Sequence, residues 1–234
     1  MTTKALVILS GGQDSTICLY LAKQQFDQVH AVTFDYGQRH YIEIECAKNI
    51  AKIAKIDTHE VIDVSKLLSS CSPLNNDSVE LEKYNDYNHM EEVIGDRVEH
   101  TFVPMRNSLF LTVAANRAVT LGCNDMFIGV SQDDNANYPD CTAEFISAQN
   151  HAINKSLGIK GFKIHAPLLY VQKSKSIQFA QELGAMNALA YSHTCYAGQY
   201  PPCGECHSCL LRENAFAKAG VVDPLIERAN NVSQ

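Results

Sequence analysis

The sequence predicts an α/β protein: a parallel sheet with helices on both faces and a cysteine knot near the C-terminus. Short β-like runs alternate with helical patterns along most of the chain, as parallel strands joined by helical crossovers require. The first run, Lys4-Ala5-Leu6-Val7-Ile8-Leu9, feeds straight into a glycine turn that opens a helix. Four cysteines crowd between Cys195 and Cys209.

The elements follow in order. An apolar strand spans residues 5–9, and a helix rich in hydroxyls at its start spans 15–25. A second strand at 29–34, a helix at 41–55 and a third strand at 59–64 repeat the unit. A helix at 108–121 leads to a strand at 126–130. A helix at 143–157 leads to a short strand at 162–165, and a last helix covers 173–183 before the cysteines begin. Ligands of such sheets bind beyond the carboxyl ends of the strands. The segments 10–16, 35–40, 131–141 and 167–175 all fall there, so one site can gather them.

Residues 65–100 break the alternation. They carry few apolar residues and many acids, among them Asp77, Glu80, Glu82, Asp86, Glu91, Glu92, Asp96 and Glu99. So long a connection reads as an insertion, mostly solvated mobile loop; the sharper alternative is a lid that keeps water from a reactive intermediate. The expected division is residues 1–190 as one α/β domain and 191–234 as a cysteine-bearing segment packed on it.

With 234 residues, 46% of them hydrophobic, the chain can bury a full core. No stretch is apolar enough to span a bilayer and no secretory leader is apparent, so a soluble cytoplasmic protein is expected. The net charge of −7 argues against stable binding of long nucleic acid, which needs a basic face.

The turn Ser10-Gly11-Gly12-Gln13-Asp14-Ser15-Thr16 carries the most chemistry. Paired glycines let backbone N–H groups approach an anion, and the helix N-terminus adds positive dipole. A solvated turn is the plainer reading of two glycines alone. The candidate nucleotide segment runs through Leu9, Ser10, Gly11, Gly12, Gln13, Asp14, Ser15, Thr16, Ile17, Cys18 and Leu19. No Gly-Lys-Ser/Thr follows, so this is not a Walker loop. It resembles the SGGxDS pyrophosphate loop of ATP pyrophosphatases, which break ATP between its α and β phosphates.

Cys195-x7-Cys203-x2-Cys206-x2-Cys209 supplies four thiols at metal-ligand spacing. Thiolates so arranged select zinc in a closed structural site. An iron–sulfur cluster and a redox cysteine pair are the competing readings. Cys18, Cys46, Cys71, Cys123 and Cys141 are scattered, and Cys141 reads as a packed thiol.

Between loop and knot stand Phe34-Asp35-Tyr36-Gly37-Gln38-Arg39-His40, Thr101-Phe102-Val103-Pro104, Arg106-Asn107, Tyr138-Pro139-Asp140-Cys141 and Thr194-Cys195-Tyr196. In this order, over nearly the whole chain, they resemble the 7-cyano-7-deazaguanine synthase family. The resemblance implies an adenine-nucleotide α-hydrolase-like sheet, one zinc per chain and a homodimer. It implies that 7-carboxy-7-deazaguanine, ammonia and ATP give the 7-cyano base, with Mg²⁺ accompanying ATP.

The implied chemistry is consistent with the residues. A carboxylate resists ammonia because its leaving group would be oxide, whereas adenylation makes AMP the leaving group. A second adenylation, on the amide oxygen, permits dehydration to the nitrile. Residues 9–15, with the Ser15 and Thr16 hydroxyls, are assigned to the departing pyrophosphate. Asp14 is assigned to Mg²⁺, or to capping the helix. The end of the 29–34 strand is assigned to adenine. Arg39, Arg106 and Lys173 are candidates for the α-phosphate and substrate carboxylate. Asn107, Tyr138 and Asp140 are candidates for the base; Asp140 can accept two donors from a guanine-like edge or cap the following helix. The chain departs from the family at Met105, where many members have Gly, at Thr142, where many have Arg, and at Lys173-Ser174-Lys175, where many have Lys-Ala-Glu. These departures keep a second outcome open: a relative that stops at the amide, or passes the acyl group to another amine such as a protein N-terminus.

Overall fold

The computed structural model describes residues 2–132 and 136–232. Its centre is a five-stranded, wholly parallel sheet in the order β3-β2-β1-β4-β5. The strands are β1 (Lys4–Ile8), β2 (Gln28–Asp35), β3 (Thr58–Asp63), β4 (Asp125–Phe127) and β5 (Lys163–His165). Side chains of β1 alternate between faces, as strand geometry requires. Ala5 and Val7, with Leu9 just beyond, pack into one core with α1 (Gln13–Gln25) and α2 (Ile42–Ala54). Leu6 and Ile8 pack into the other with α4 (Arg106–Thr120) and α5 (Ala143–Leu157). A strand apolar on both faces belongs in the middle of a sheet covered on both sides.

The chain winds from β1 out to β3, returns, and adds β4 on the opposite side of β1. The crevice between the ends of β1 and β4 is therefore the switch point where such sheets hold ligands. Helix α5 begins and ends where the sequence predicts because both caps are local. The Thr142 hydroxyl accepts from Phe145 N at 3.2 Å, and Gly158 takes the left-handed conformation at φ 67°. Helix α1 starts earlier than predicted, at Gln13. Gly12 is its N-cap residue, and the Gly12 carbonyl accepts both the Thr16 amide and hydroxyl.

The acidic segment is not a solvated loop throughout. It contains α3 (Tyr87–Ile94), capped by Asp86, whose carboxylate accepts from His89 N at 2.9 Å. Tyr84, Met90 and Ile94 are buried against Leu210 and Leu211 of α8 (His207–Ala219). Ser72 and Leu74 tie its first part to Thr101 and Arg39. Helix α6 (Lys173–Glu182) matches expectation; α7 (Met186–Leu189), α8 and α9 (Pro224–Val232) complete the chain. No helix among the described residues is long and apolar enough to cross a membrane.

Candidate active site and metal centre

The turn after β1 is held by its own hydroxyls. Ser15 Oγ accepts from Ser10 N at 3.2 Å, lies 3.0 Å from Ser10 Oγ and donates to the Gly12 carbonyl at 3.1 Å. Gly11 has φ 95°, and a Cβ there would stand 2.1 Å from the Glu43 carbonyl oxygen. Only glycine fits. Facing this turn is Gly129, just beyond β4, where a Cβ would lie 2.7 Å from Ser15 N. Gly129 lets the end of β4 close on the start of α1, and Gly11 lets the turn sit directly on α2, which leaves one anion-sized mouth at the start of α1. Lys173, the first residue of α6, forms an ion pair with Asp14.

The mouth opens into a cavity of about 240 Å³. Its apolar walls include Ile8, Phe34, Phe110, Ile128 and Val130. Phe34 and Phe110 stack with centroids 4.3 Å apart, a flat wall suited to an aromatic base. At the far end Arg106, first residue of α4, donates to the Tyr36 hydroxyl at 3.5 Å and lies over that ring. Burial works against the Arg106 charge, but Tyr36, Tyr138 and Asp140 around it more than restore it. Glu43 lies 3.5 Å from His40. Burial pushes the Glu43 carboxyl up to about 8, although Arg106 pulls the other way. Burial, then Arg106, takes the His40 imidazole down to about 3.

Of the residues singled out from sequence, Ser10, Gly12, Gln13, Asp14, Ser15, Arg106, Asn107, Tyr138 and Lys173 line this cavity. Leu9, Ile17, Cys18 and Leu19 are core residues beneath the turn. Gly11 and Thr16 shape it from behind. Arg39 is not brought to the cavity: its guanidinium donates to the carbonyls of Asn76 and Val79 and pairs with Asp77 at 3.4 Å, pinning the acidic segment. Asp140 is likewise not a lining residue. Its carboxylate accepts from Asn107 N at 3.3 Å, so it serves the first turn of α4, while Thr142 caps the helix that follows Asp140. Of the segment 131–141, residues 133–135 lie outside the described residues. Sequence reasoning missed Gly129, read as strand interior, and Glu43, three residues from His40 at the start of a helix that only the fold turns towards the cavity.

The four knot cysteines converge, with their Sγ atoms all within 4.8 Å of one another. Cys203 Sγ and Cys209 Sγ are 3.9 Å apart, against about 3.8 Å between sulfurs held tetrahedrally on 2.3 Å zinc–sulfur bonds. Cys206 is the N-cap residue of α8, whose positive end favours thiolates. The set fits a four-coordinate thiolate metal. It stands beside the mouth: His193 N, just before Cys195, donates to the Gly11 carbonyl at 2.9 Å.

Comparison with known proteins places the chain in a family. The family model described as queuosine biosynthesis protein QueC matches residues 4–220. Proteins named 7-cyano-7-deazaguanine synthase are similar along almost their full length. That of Chromobacterium violaceum is 44% identical, covering 99% of this chain and 96% of its own. That of Gloeobacter violaceus is 44% identical, covering 95% of each. That of Clostridium kluyveri is 41% identical, covering 95% and 96%. Among solved structures, a 4-thiouridine synthetase bound to RNA and ATP shares the fold at TM-score 0.50 and 17% identity, over 97% of this chain and 53% of that one.

Proposed function

The chain belongs to the QueC family of queuosine biosynthesis proteins, and we propose on that premise that it is an AMP-forming carbon–nitrogen ligase. It converts 7-carboxy-7-deazaguanine, ammonia and two ATP-dependent activations into 7-cyano-7-deazaguanine through an acyl adenylate and an amide. The observation that carries this reading is the mouth between β1 and β4: a glycine turn without a Walker lysine, opening on a cavity that also holds a half-buried arginine.

The turn from Ser10 to Ser15 takes the departing pyrophosphate with backbone N–H groups and the Ser15 hydroxyl. Lys173 neutralises the phosphates, and Asp14 would hold the Mg²⁺ that accompanies ATP. Phe34 and the end of β2 receive adenine. Arg106 orients the substrate carboxylate and then the α-phosphate as charge builds there. Tyr138 and Asn107 contact the deazaguanine, with Asp140 acting through Asn107. Zinc on Cys195, Cys203, Cys206 and Cys209 cross-links the C-terminal segment and does no chemistry. The working protein is a cytoplasmic homodimer.

Incubation with carboxy-deazaguanine, ATP, Mg²⁺ and ammonium, read by product mass, tests the proposal. The nitrile, AMP and pyrophosphate are expected. ADP and orthophosphate as direct products overturn the mechanism. Accumulation of the primary amide, or transfer to another amine, would favour the second reading. The observation behind that reading is Thr142, which rims a recess beside Tyr138 where many relatives place an arginine.

A further inference from the structure

The acidic segment supplies a carboxylate with no role so far. Glu99 is only 2% exposed. Its Oε2 accepts from Thr101 N at 2.7 Å, from the Thr101 hydroxyl and from the Tyr138 hydroxyl at 3.2 Å. Its own amide donates to the Ala136 carbonyl at 2.9 Å. Tyr138 lines the cavity and Glu99 does not. The Tyr138 phenol thus stands between the cavity and a buried acid, with the Tyr196 phenol, which also lines the cavity, beside it.

The reaction releases protons into that cavity. When ammonia attacks the acyl adenylate, a C–N bond forms, the C–O bond to AMP breaks, and the nitrogen sheds one proton. When the amide oxygen takes the second adenylyl group and pyrophosphate leaves, the nitrogen loses a proton and an imidoyl adenylate remains. Its collapse breaks the C–O bond to AMP, makes the third C–N bond and sheds the last proton.

We propose that Tyr138 and Glu99 are the relay that removes these protons. The phenol takes a proton from the substrate nitrogen as it hands its own to Glu99 Oε2, so the ring stays neutral and the carboxylate becomes the acid. The inference rests on the ligase reading of the preceding subsection. Burial drives the Tyr138 phenol well above its usual range, and Glu99 adds to this, which keeps it a phenol. Burial lifts Glu99 to about 7, while the Thr101 and Tyr138 hydrogen bonds and Arg97 hold it down and Glu82 raises it. Tyr84 and Tyr196 face it as well. An acid poised there can both take and release a proton near neutrality. Beyond it, Glu82 is bound by Arg97 and the Tyr84 hydroxyl, each at 2.6 Å, and reaches solvent.

Glu99→Gln is the decisive variant, because its amide oxygen still accepts from Thr101 and Tyr138 but cannot take a proton. Nitrile formation should fall roughly 10²-fold in kcat, the general-base range, with KM little changed. Pyrophosphate–ATP exchange, a half-reaction that releases no proton, should be spared. The wild-type rate should drop as pH falls through about 7, and the variant should lose that limb. Tyr138→Phe should match it, with the double variant no slower than either. A Glu99→Gln enzyme with wild-type kcat and pH limb overturns the relay. So does a limb that disappears in Glu43→Gln instead, which would give the proton to Glu43. A wild-type enzyme that makes no nitrile at all fails the ligase reading rather than the relay.

Discussion

The two ends of the cavity are built from different material. At the α1 end the wall is mostly main chain, held by two glycines and a small set of hydroxyl bonds, with the Asp14–Lys173 ion pair at its lip. At the α4 end it is side chain that titrates, Arg106, Tyr36 and Tyr138, with His40 and Glu43 reaching in from the start of α2 between the two. A backbone site carries no pKa to tune and selects its ligand by shape and dipole. A side-chain site can change charge during a reaction. That division suits the reaction proposed above, in which the same phosphates bind twice while the group at the other end passes from acid to amide to nitrile.

Gly11→Ala should break the comparison hardest. It combines a φ of 95° with a Cβ 2.1 Å from a backbone oxygen. Strain and overpacking together should cost roughly 3 kcal/mol or more and abolish adenylation. An unaltered melting temperature would mean that the turn is not as rigid as its geometry states. Metal loss comes next. Cys206→Ser should release the ion and loosen α8, because binding there supplies folding free energy. Through the His193–Gly11 bond it should also weaken ATP binding. Metal analysis finding iron with labile sulfide, or a well-folded protein with no metal, would contradict the assignment.

Arg106→Gln probes the far end alone. Turnover should fall about 10²-fold or more, with ATP affinity changed much less. Equal losses in both would erase the distinction between the ends. A smaller effect follows from the buried acids. Folded Glu43 and Glu99 titrate near 8 and 7, above the ordinary 4.5, so the native state holds protons that the unfolded chain has released. Stability of the ligand-free protein should therefore decline as pH rises from about 5 to 8, and Glu43→Gln should flatten that decline in denaturant titrations. Smallest of all is Met105→Gly. Met105 sits at φ 63°, a conformation that costs a side chain but not glycine. A gain below about 1 kcal/mol is expected, since glycine also loosens the unfolded chain. Met105→Ala should give none.

What could be read from the sequence divides along the same line. The glycine turn and the cysteine knot are written in neighbouring residues, so their spacing alone marks them out. The parallel sheet was legible because β1 and β2 carry apolar runs and helical patterns separate the strands, although the edge strands β3 and β5 are mostly polar. The positions of Asp140 and Arg39 outside the cavity lining could not be read locally, because their partners, Asn107 and the carbonyls of Asn76 and Val79, lie far away in sequence. Glu99 looked like one more solvated acid among many. Nothing local separates it from Glu91 or Glu92; only the return of the chain at Tyr138 buries it. Helix α3 was hidden for the same reason, its apolar pair Met90 and Ile94 being too sparse to recognise without Leu210 and Leu211 opposite.

The contact between α3 and α8 also fixes a calendar for the newborn chain. Strands β1, β2 and β3 can pair once residue 63 has left the ribosome, and β5 completes the sheet at residue 165. The acidic segment, made long before, must wait for Leu210 and Leu211 before its apolar side is covered. The cavity waits too, since Thr194, Tyr196 and Arg212 close part of its wall. A chain released early would have its sheet but no finished chamber, and so nothing in which to spend ATP without product.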